Sequence, residues 1–351
     1  MPTRLIRFLV PGTGGRFKCG GLIVELQTAR LLVSLCPTEV VTYRQRQTDV
    51  AFLNDYLKSE RPDRSILWIV SWGFDVPALI KRLRGHRVAY HAHSSGYGFN
   101  LPSGIPVLAV SRNTLGYWGS RAPRNPLSLV PNALDDAWLK RGALKSKAKR
   151  PIDVLVQARK SSPYVTNKLV PALRRFGLTV EVQSGWVEDL IDLFNKSTVY
   201  LYDSADYWRG RGITEGFGLP PLEALACGCV VFSSLNHALA DHGDPCRGMH
   251  QIGCGRLGFD VQRISRAAQT PSQWRPQVDQ LKTWLTPYTE TWLLECWREV
   301  LQHLDSFDEA PGALLTSRAT WQLVWGQRLM RLCRSGRSVA RLASSLVNVE
   351  H

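Results

Sequence analysis

The stretch Ile213–Ser234, ITEGFGLPPLEALACGCVVFSS, decides how the rest of the chain is read. Two carboxylates, Glu215 and Glu223, bracket a Gly-x-Gly turn and a double proline. Gly216 and Gly218 reach backbone angles closed to other residues, and they let a ligand approach the main chain. Pro220 and Pro221 suit a first helical turn, where the missing N–H is not needed. LEALA continues the helix and Gly228 ends it. VVFSS then reads as a buried parallel strand. Free N–H groups in the first turn, together with the helix dipole, make a place for an anion such as a phosphate. Glu223 stands beside that place, and its carboxylate can accept two hydrogen bonds side by side, as a ribose 2′,3′-diol would offer. The bland alternative is an ordinary strand, turn and helix with two solvated glutamates.

EGFGLPPLEALACG resembles the E-x7-E signature of retaining nucleotide-sugar glycosyltransferases, the family 4 type with the GT-B fold. The resemblance implies an α/β chain of two Rossmann-like domains facing each other across a cleft. It implies that Glu223 holds the donor ribose and that Glu215 lies near the transferred sugar. Gly216, Phe217, Gly218 and Leu219 then belong to the donor-binding loop.

With 351 residues the chain is long for one core and suits two domains of roughly 150 residues each. No run approaches the ~18 apolar residues of a membrane span, and MPTRLIRFLVPG is too short and glycine-punctuated for a signal peptide. The expected location is the cytoplasm, with the inner face of the membrane as a further option. The 8 cysteines are too sparse for a disulfide framework and read as free thiols. His242, Cys246, His250 and Cys254 recur every fourth residue, but Gly243, Pro245, Gly248 and Gly253 break the helix that would align them, so unconnected loop residues are expected rather than zinc ligands. The net charge of +15 points to an anionic partner. No zinc-finger spacing and no RNP-type motif appears, which ranks nucleic acid below a phosphorylated substrate or an acidic membrane surface.

From the amino terminus, strand RLIRFLV leads into the glycine-rich loop GTGGRFKCGG and the helix LIVELQTARLL. By resemblance to the loop after the first GT-B strand, Gly20 and Gly21 are candidates to lie close to the donor phosphates and the acceptor. TEVVTYR and SILWIVSWG read as the next strands. RVAYHAH is another, and its end delivers His91 and His93 on one side of the strand, where parallel sheets bind ligands. The family often carries a histidine here that hydrogen-bonds the donor sugar. Glu215, His91 and His93 are therefore the candidate catalytic residues, with the choice between the two histidines open. VPNALD, from Val130, resembles the family's VPNG-type segment with Ala133 in place of glycine.

The polar, basic stretch Ala143–Pro151 reads as a linker, giving an acceptor-side domain over 1–145 and a donor domain over 151–305 whose last helix returns to the first domain. DVLVQA opens the second half, and Arg159 and Lys160 follow it directly. By resemblance this pair grips the donor diphosphate. Fixed cations there stabilise the charge that grows on the leaving group. Lys168, inside a helix, is a weaker candidate; Arg209 and Arg211 are possible additional charge. The sequence offers no Asp-x-Asp pair in a site-like position, so no metal and no other cofactor is expected. Residues 311–351 form a tail in which Trp325, Leu332, Val339 and Leu346 repeat every seventh residue among arginines, an amphipathic pattern suited either to packing on the enzyme or to an anionic membrane.

The expected function is sugar transfer from a nucleotide-diphosphate donor to a saccharide, lipid-linked or other hydroxyl acceptor. The alternative is a protein of the same fold that only binds a nucleotide sugar, or an epimerase that isomerises it. Loops that vary freely on this fold read the base, sugar and acceptor, so these stay open.

Overall fold

The computed structural model describes residues 3–71, 73–144, 149–185, 187–252, 256–309, 325, 326, 328–330 and 333. The chain divides into a body, residues 1–309, and a tail, residues 310–351.

The first half of the body forms β1 (Leu5–Val10), α1 (Gly20–Leu32), β2 (Thr38–Thr42), β3 (Ala51–Phe52), α2 (Leu53–Ser59), β4 (Ile66–Val70), α3 (Val76–Arg82), β5 (Arg87–Ala92), β6 (Val107–Ala109), α4 (Arg112–Arg121), β7 (Leu127–Leu129) and α5 (Asp136–Arg141). The second half forms β8 (Ile152–Gln157), α6 (Val170–Arg175), β9 (Val180–Gln183), α7 (Leu190–Asn195), β10 (Ser197–Tyr202), α8 (Ala205–Arg209), α9 (Leu219–Ala226), β11 (Val230–Ser233), α10 (Leu239–His242), β12 (Met249–Gln251), α11 (Leu257–Gln269), α12 (Val278–Leu285) and α13 (Glu290–Glu309).

Two sheets result. The first has the order β3-β2-β1-β4-β5-β6-β7 and the second β12-β11-β10-β8-β9, and the strand pairs within both are parallel. Helices cover both faces, so the central strands are buried on both sides rather than alternating between core and solvent. Along β5 and β10 every residue is buried. In the first sheet the chain leaves β1 for β2 on one side and continues from β4 on the other; in the second it leaves β8 for β9 and resumes at β10. Adjacent connections diverge at β1/β4 and at β8/β10, and such a crevice beyond the carboxyl ends of the strands is where open α/β sheets bind ligands.

Packing rather than chain position sorts the connecting elements. Ala137 and Trp138 of α5 pack into the core of the second sheet with Leu155, Phe194 and Leu225. The apolar stripe of α13, Leu293, Trp297, Val300 and Leu304, packs on the first sheet against Ile6, Phe8 and Leu32. An α13 stripe at helical spacing must cover an apolar surface, and the α1 face of the first sheet supplies it. At its far end Asp305 accepts from Thr3 and Arg87, which pins α13 to the strands beneath. The basic stretch at 143–151 holds Arg150, whose guanidinium donates to the carbonyls of Ser197 and Cys227 at 2.6 and 2.7 Å and is buried.

Of the tail, the described residues are helical, with Trp325 exposed and the Arg328 guanidinium 5.7 Å from its ring centre. Leu332, Val339 and Leu346 lie outside the described residues, as does most of the expected helix over 311–351. Among the described residues no helix is long and apolar enough to cross a membrane.

Candidate active site

The motif 213–228 runs from the end of α8 into α9. Gly218 caps the helix with φ +87°, a left-handed conformation, and a Cβ there would lie 2.4 Å from Leu239. Pro220 and Pro221 fall just inside α9, which begins one residue earlier than the sequence suggests, at Leu219. They remove two of the first-turn donors, leaving the Gly218 and Leu219 N–H groups for an anion. At the other end Gly228, at φ +72°, donates to the Leu225 carbonyl and Cys229 to that of Ala224, the paired bonds of a Schellman stop. Phe217 turns its ring into the second core against His242 and Tyr288, so what it offers a ligand is its backbone. Leu219 is likewise partly buried against that core.

Glu215 is buried and well supplied with donors. Tyr202 Oη lies 2.6 Å and Trp208 Nε1 2.7 Å from its Oε2, while Lys160 Nζ approaches both oxygens at 3.2 and 3.3 Å. The Glu215 N–H donates to His237 Nδ1 at 3.3 Å. Lys160 also sits 4.6 Å from the Trp208 ring centre, a cation–π contact that steadies it at the cleft. Burial and the neighbouring Glu215 push the Tyr202 phenol far up, so it stays a donor. Arg159, next in chain, is exposed and makes no hydrogen bond or ion pair with a described residue.

Glu223 presents the opposite case. It is half-buried on α9, its carboxyl accepts no hydrogen bond from a described residue, and burial pushes that carboxyl up to about 7, with Lys160 pulling it partly back. A carboxyl group short of partners beside a helix start is ready for a ligand's hydroxyls.

Across the cleft, β5 carries His91 near its end and His93 follows directly after its last residue, Ala92. Both reach one oxygen of Glu25, from α1: His91 Nδ1 and His93 Nε2 each lie 2.7 Å from its Oε2. His91 and Glu25 have side chains only 1% exposed, whereas His93 keeps 14%. The two imidazoles hold the Glu25 carboxyl down at about 2 against the opposing effect of burial, so it is ionised. Burial pushes His91 down, towards the neutral form. These three residues are of the types that bind a divalent ion and offer atoms within 4.8 Å of one another. Ligands around a tetrahedral zinc stand about 3.3 Å apart, given bonds near 2.0–2.1 Å. The 2.7 Å contacts are therefore hydrogen bonds, and an ion would have to spread the cluster.

The two halves meet where these groups lie. A Cβ on Gly216 would fall 1.4 Å from the His93 carbonyl oxygen, so only glycine fits. Ser94 Oγ donates to the Thr214 carbonyl at 2.6 Å, and the Ser95 N–H donates to Thr214 Oγ1 at 3.1 Å. Gly96, at φ +93°, rests on Gly212.

Gly20 and Gly21 open α1 with free space where side chains would stand, Gly20 having nothing within 4 Å of a built Cβ. Arg209 pairs with Asp206 at 2.8 Å on its own helix, and Arg211 stacks 3.6 Å from the Tyr207 ring centre, so both are engaged locally. Lys168 lies in the π-helical turn that precedes α6. His242 links Phe217 O at 2.8 Å with Tyr288 Oη at 3.1 Å, and burial pushes it down to about 4, while His250 on β12 meets the Trp274 carbonyl at 3.3 Å. Cys246 is exposed and Cys254 lies outside the described residues. Reasoning from sequence missed Glu25, Tyr202, Trp208 and His237. Of these only Tyr202, at the carboxyl end of an apolar strand, carried a signal. A cavity of about 410 Å³, reached by Ser162, Asp203, Asp206, Ser234 and Gln251, opens beyond β8, β10, β11 and β12.

No protein-family model matches the sequence, and no curated protein is found similar to it. Solved structures are similar. Sucrose-phosphate synthase from Thermosynechococcus elongatus aligns with TM-score 0.61 at 13% identity, over 86% of this chain and 99% of that one. A glycosyltransferase from Rickettsia africae aligns with TM-score 0.60 at 12% identity, over 86% and 98%. Anabaena HepE in complex with UDP and glucose aligns with TM-score 0.59 at 14% identity, over 86% and 100%. The chain thus has the α/β fold of the GT-B glycosyltransferases, two parallel-sheet domains with a cleft between them.

Proposed function

We propose that this protein is a retaining glycosyltransferase of the family 4 type, which moves a sugar from a nucleotide-diphosphate sugar to an acceptor hydroxyl without a metal ion. The observation that supports this most is that Lys160 meets Glu215 beyond the second sheet while the neighbouring Gly216 lies against the His93 carbonyl just past β5. Glu223 takes the ribose diol. Lys160, Arg159 and the Gly218 and Leu219 N–H groups take the diphosphate, whose charge rises as the glycosidic bond breaks. Glu215, oriented by Tyr202 and Trp208, receives hydroxyls of the transferred sugar. The acceptor enters from the first domain, and the departing phosphate helps remove its proton. Closure across Ser94, Ser95 and Thr214 excludes water.

The enzyme acts in the cytoplasm, and its basic tail either packs on the enzyme or meets the inner face of the membrane near a lipid-linked acceptor. The complex of HepE with UDP and glucose makes UDP-glucose the first donor to try. Incubation with a panel of nucleotide sugars and acceptors, with the product anomer read by NMR, tests the proposal. Transfer with retained configuration in the presence of a chelator is expected. An inverted product, isomerised donor, or binding without turnover would reject it.

A further inference from the structure

His242, one of the four regularly spaced metal-ligand types in the sequence, is given different work by the fold. It ends α10 and is buried. Its Nε2 stands 2.8 Å from the Phe217 carbonyl oxygen and its Nδ1 3.1 Å from Tyr288 Oη. A carbonyl can only accept, so Nε2 carries hydrogen. Burial pushes the imidazole down to about 4, so at neutral pH the ring holds a single proton and Nδ1 accepts from the Tyr288 hydroxyl. The direction of both bonds is thereby fixed. The Phe217 and Tyr288 rings stand edge-on to the imidazole, with centres 4.9 and 5.2 Å away, and keep it in place.

What the ring grips is one side of the peptide between Phe217 and Gly218. The carbonyl of that peptide belongs to Phe217 and its N–H to Gly218, and across a planar trans peptide the two point in opposite directions. A carbonyl turned to His242 therefore turns the Gly218 N–H away from it, and no described residue accepts from that N–H. The local chain would not hold this arrangement by itself. Gly218 stands at φ +87°, and turning the peptide over would carry it to negative φ, which glycine adopts as readily. In the turned-over state the loop would offer an anion a carbonyl oxygen in place of a donor.

We infer that His242 is a positioning residue: by donating from Nε2 to the Phe217 carbonyl it holds the peptide with the Gly218 N–H facing the donor diphosphate. The ligand in this statement rests on the transferase reading, while the grip on the peptide stands on the geometry alone. Tyr288, donating to Nδ1, keeps the proton of the ring on Nε2. No proton is transferred, and His242 itself touches no substrate.

Two measurements test it. In the intact wild-type protein at neutral pH, long-range ¹H–¹⁵N spectra are expected to show His242 protonated on Nε2, and the Gly218 amide signal is expected to move on addition of UDP but not of uridine. An Nε2 without hydrogen, or a Gly218 amide that bound UDP leaves unmoved, overturns the inference, and neither result depends on the folding of a variant. Titration calorimetry supplies the second arm, with UDP, or the nucleoside diphosphate of the panel that binds most tightly, set against the matching nucleoside. A glutamine amide reaches the place of Nε2 and can donate to Phe217, whereas an asparagine amide ends where Nδ1 stands. His242→Asn is expected to lose at least about tenfold in affinity for the diphosphate and less than about threefold for the nucleoside, with His242→Gln within about threefold of wild type for both. Equal losses for the two ligands in His242→Asn, as a merely structural role would give, or a His242→Gln protein as weak as His242→Asn, would overturn it. A wild-type protein that binds no nucleoside diphosphate rejects the donor reading itself, and this inference with it.

Discussion

Glu223 and Glu215 stand eight positions apart and are treated oppositely by the fold: one is left short of partners, the other is surrounded by donors. Glu223→Ala should weaken nucleotide-diphosphate binding by about 1.5–3 kcal/mol, the worth of hydrogen bonds to a charged group, as titration calorimetry would show. The raised carboxyl also sets a pH dependence. Its proton is held more tightly in the folded protein, up to about 7, than in the unfolded chain near 4.5, so stability from this group is complete below about 4.5 and is lost as pH rises towards 7. Urea melts across that window should show wild type falling relative to Glu223→Gln, which has no such proton. Parallel pH profiles of the two proteins would contradict the account. Arg159→Ala and Lys160→Ala should also weaken the diphosphate, with a loss that shrinks at high salt because it is ionic. The Lys160 change carries a second consequence, since it strips a cation from the buried Glu215.

The loop before α9 and the loop after β5 meet through backbone. Gly216→Ala would drive a methyl into the His93 carbonyl, and the two loops would have to part. Turnover should fall at least about a hundredfold, the scale on which misplacement of about an ångström acts, with a much smaller change in nucleotide affinity, which the proposal assigns to the second domain. Single-turnover kinetics beside equilibrium binding would separate the two, and equal losses in both would contradict the closure role. Helix α13 works by burial. Trp297 is fully enclosed against the first sheet, with its ring 6.0 Å from that of Phe8. Trp297→Ala should cost about 3–5 kcal/mol in denaturant unfolding.

Across the whole molecule the excess of positive charge calls for an anion, and the tail concentrates arginine without an acidic residue from Ala310 to Val349. Co-sedimentation with anionic liposomes should show salt-sensitive pelleting of the full chain and less of a form ending at 309. Equal pelleting of both forms, or of neither, would remove the membrane from the proposal. In the proposed reading side chains and helix N–H groups meet the diphosphate charge, so activity should survive a chelator. Loss of activity restored by magnesium or manganese would contradict that.

The double-sheet architecture was legible from the chain because its signals are local: apolar runs of strand length, glycine-closed turns and helical periodicity repeat through both halves, and EGFGLPPLEALACG joins a turn, a helix start and a helix stop within a few residues. The alignment of two carboxylates around that helix start needs no knowledge of distant residues. Partnerships are another matter. Glu25 belongs to an amphipathic helix where a carboxylate reads as solvated, and only the docking of α1 beside β5 turns it towards His91 and His93. Trp208 and Tyr202 meet Glu215 because α8 folds back over the end of β10, and Gly216 is obligatory because the other domain's backbone lies against it. Contacts between residues far apart in the chain leave no periodicity in the sequence, so burial and the approach of the two domains decided which acids are satisfied and which remain open for a ligand.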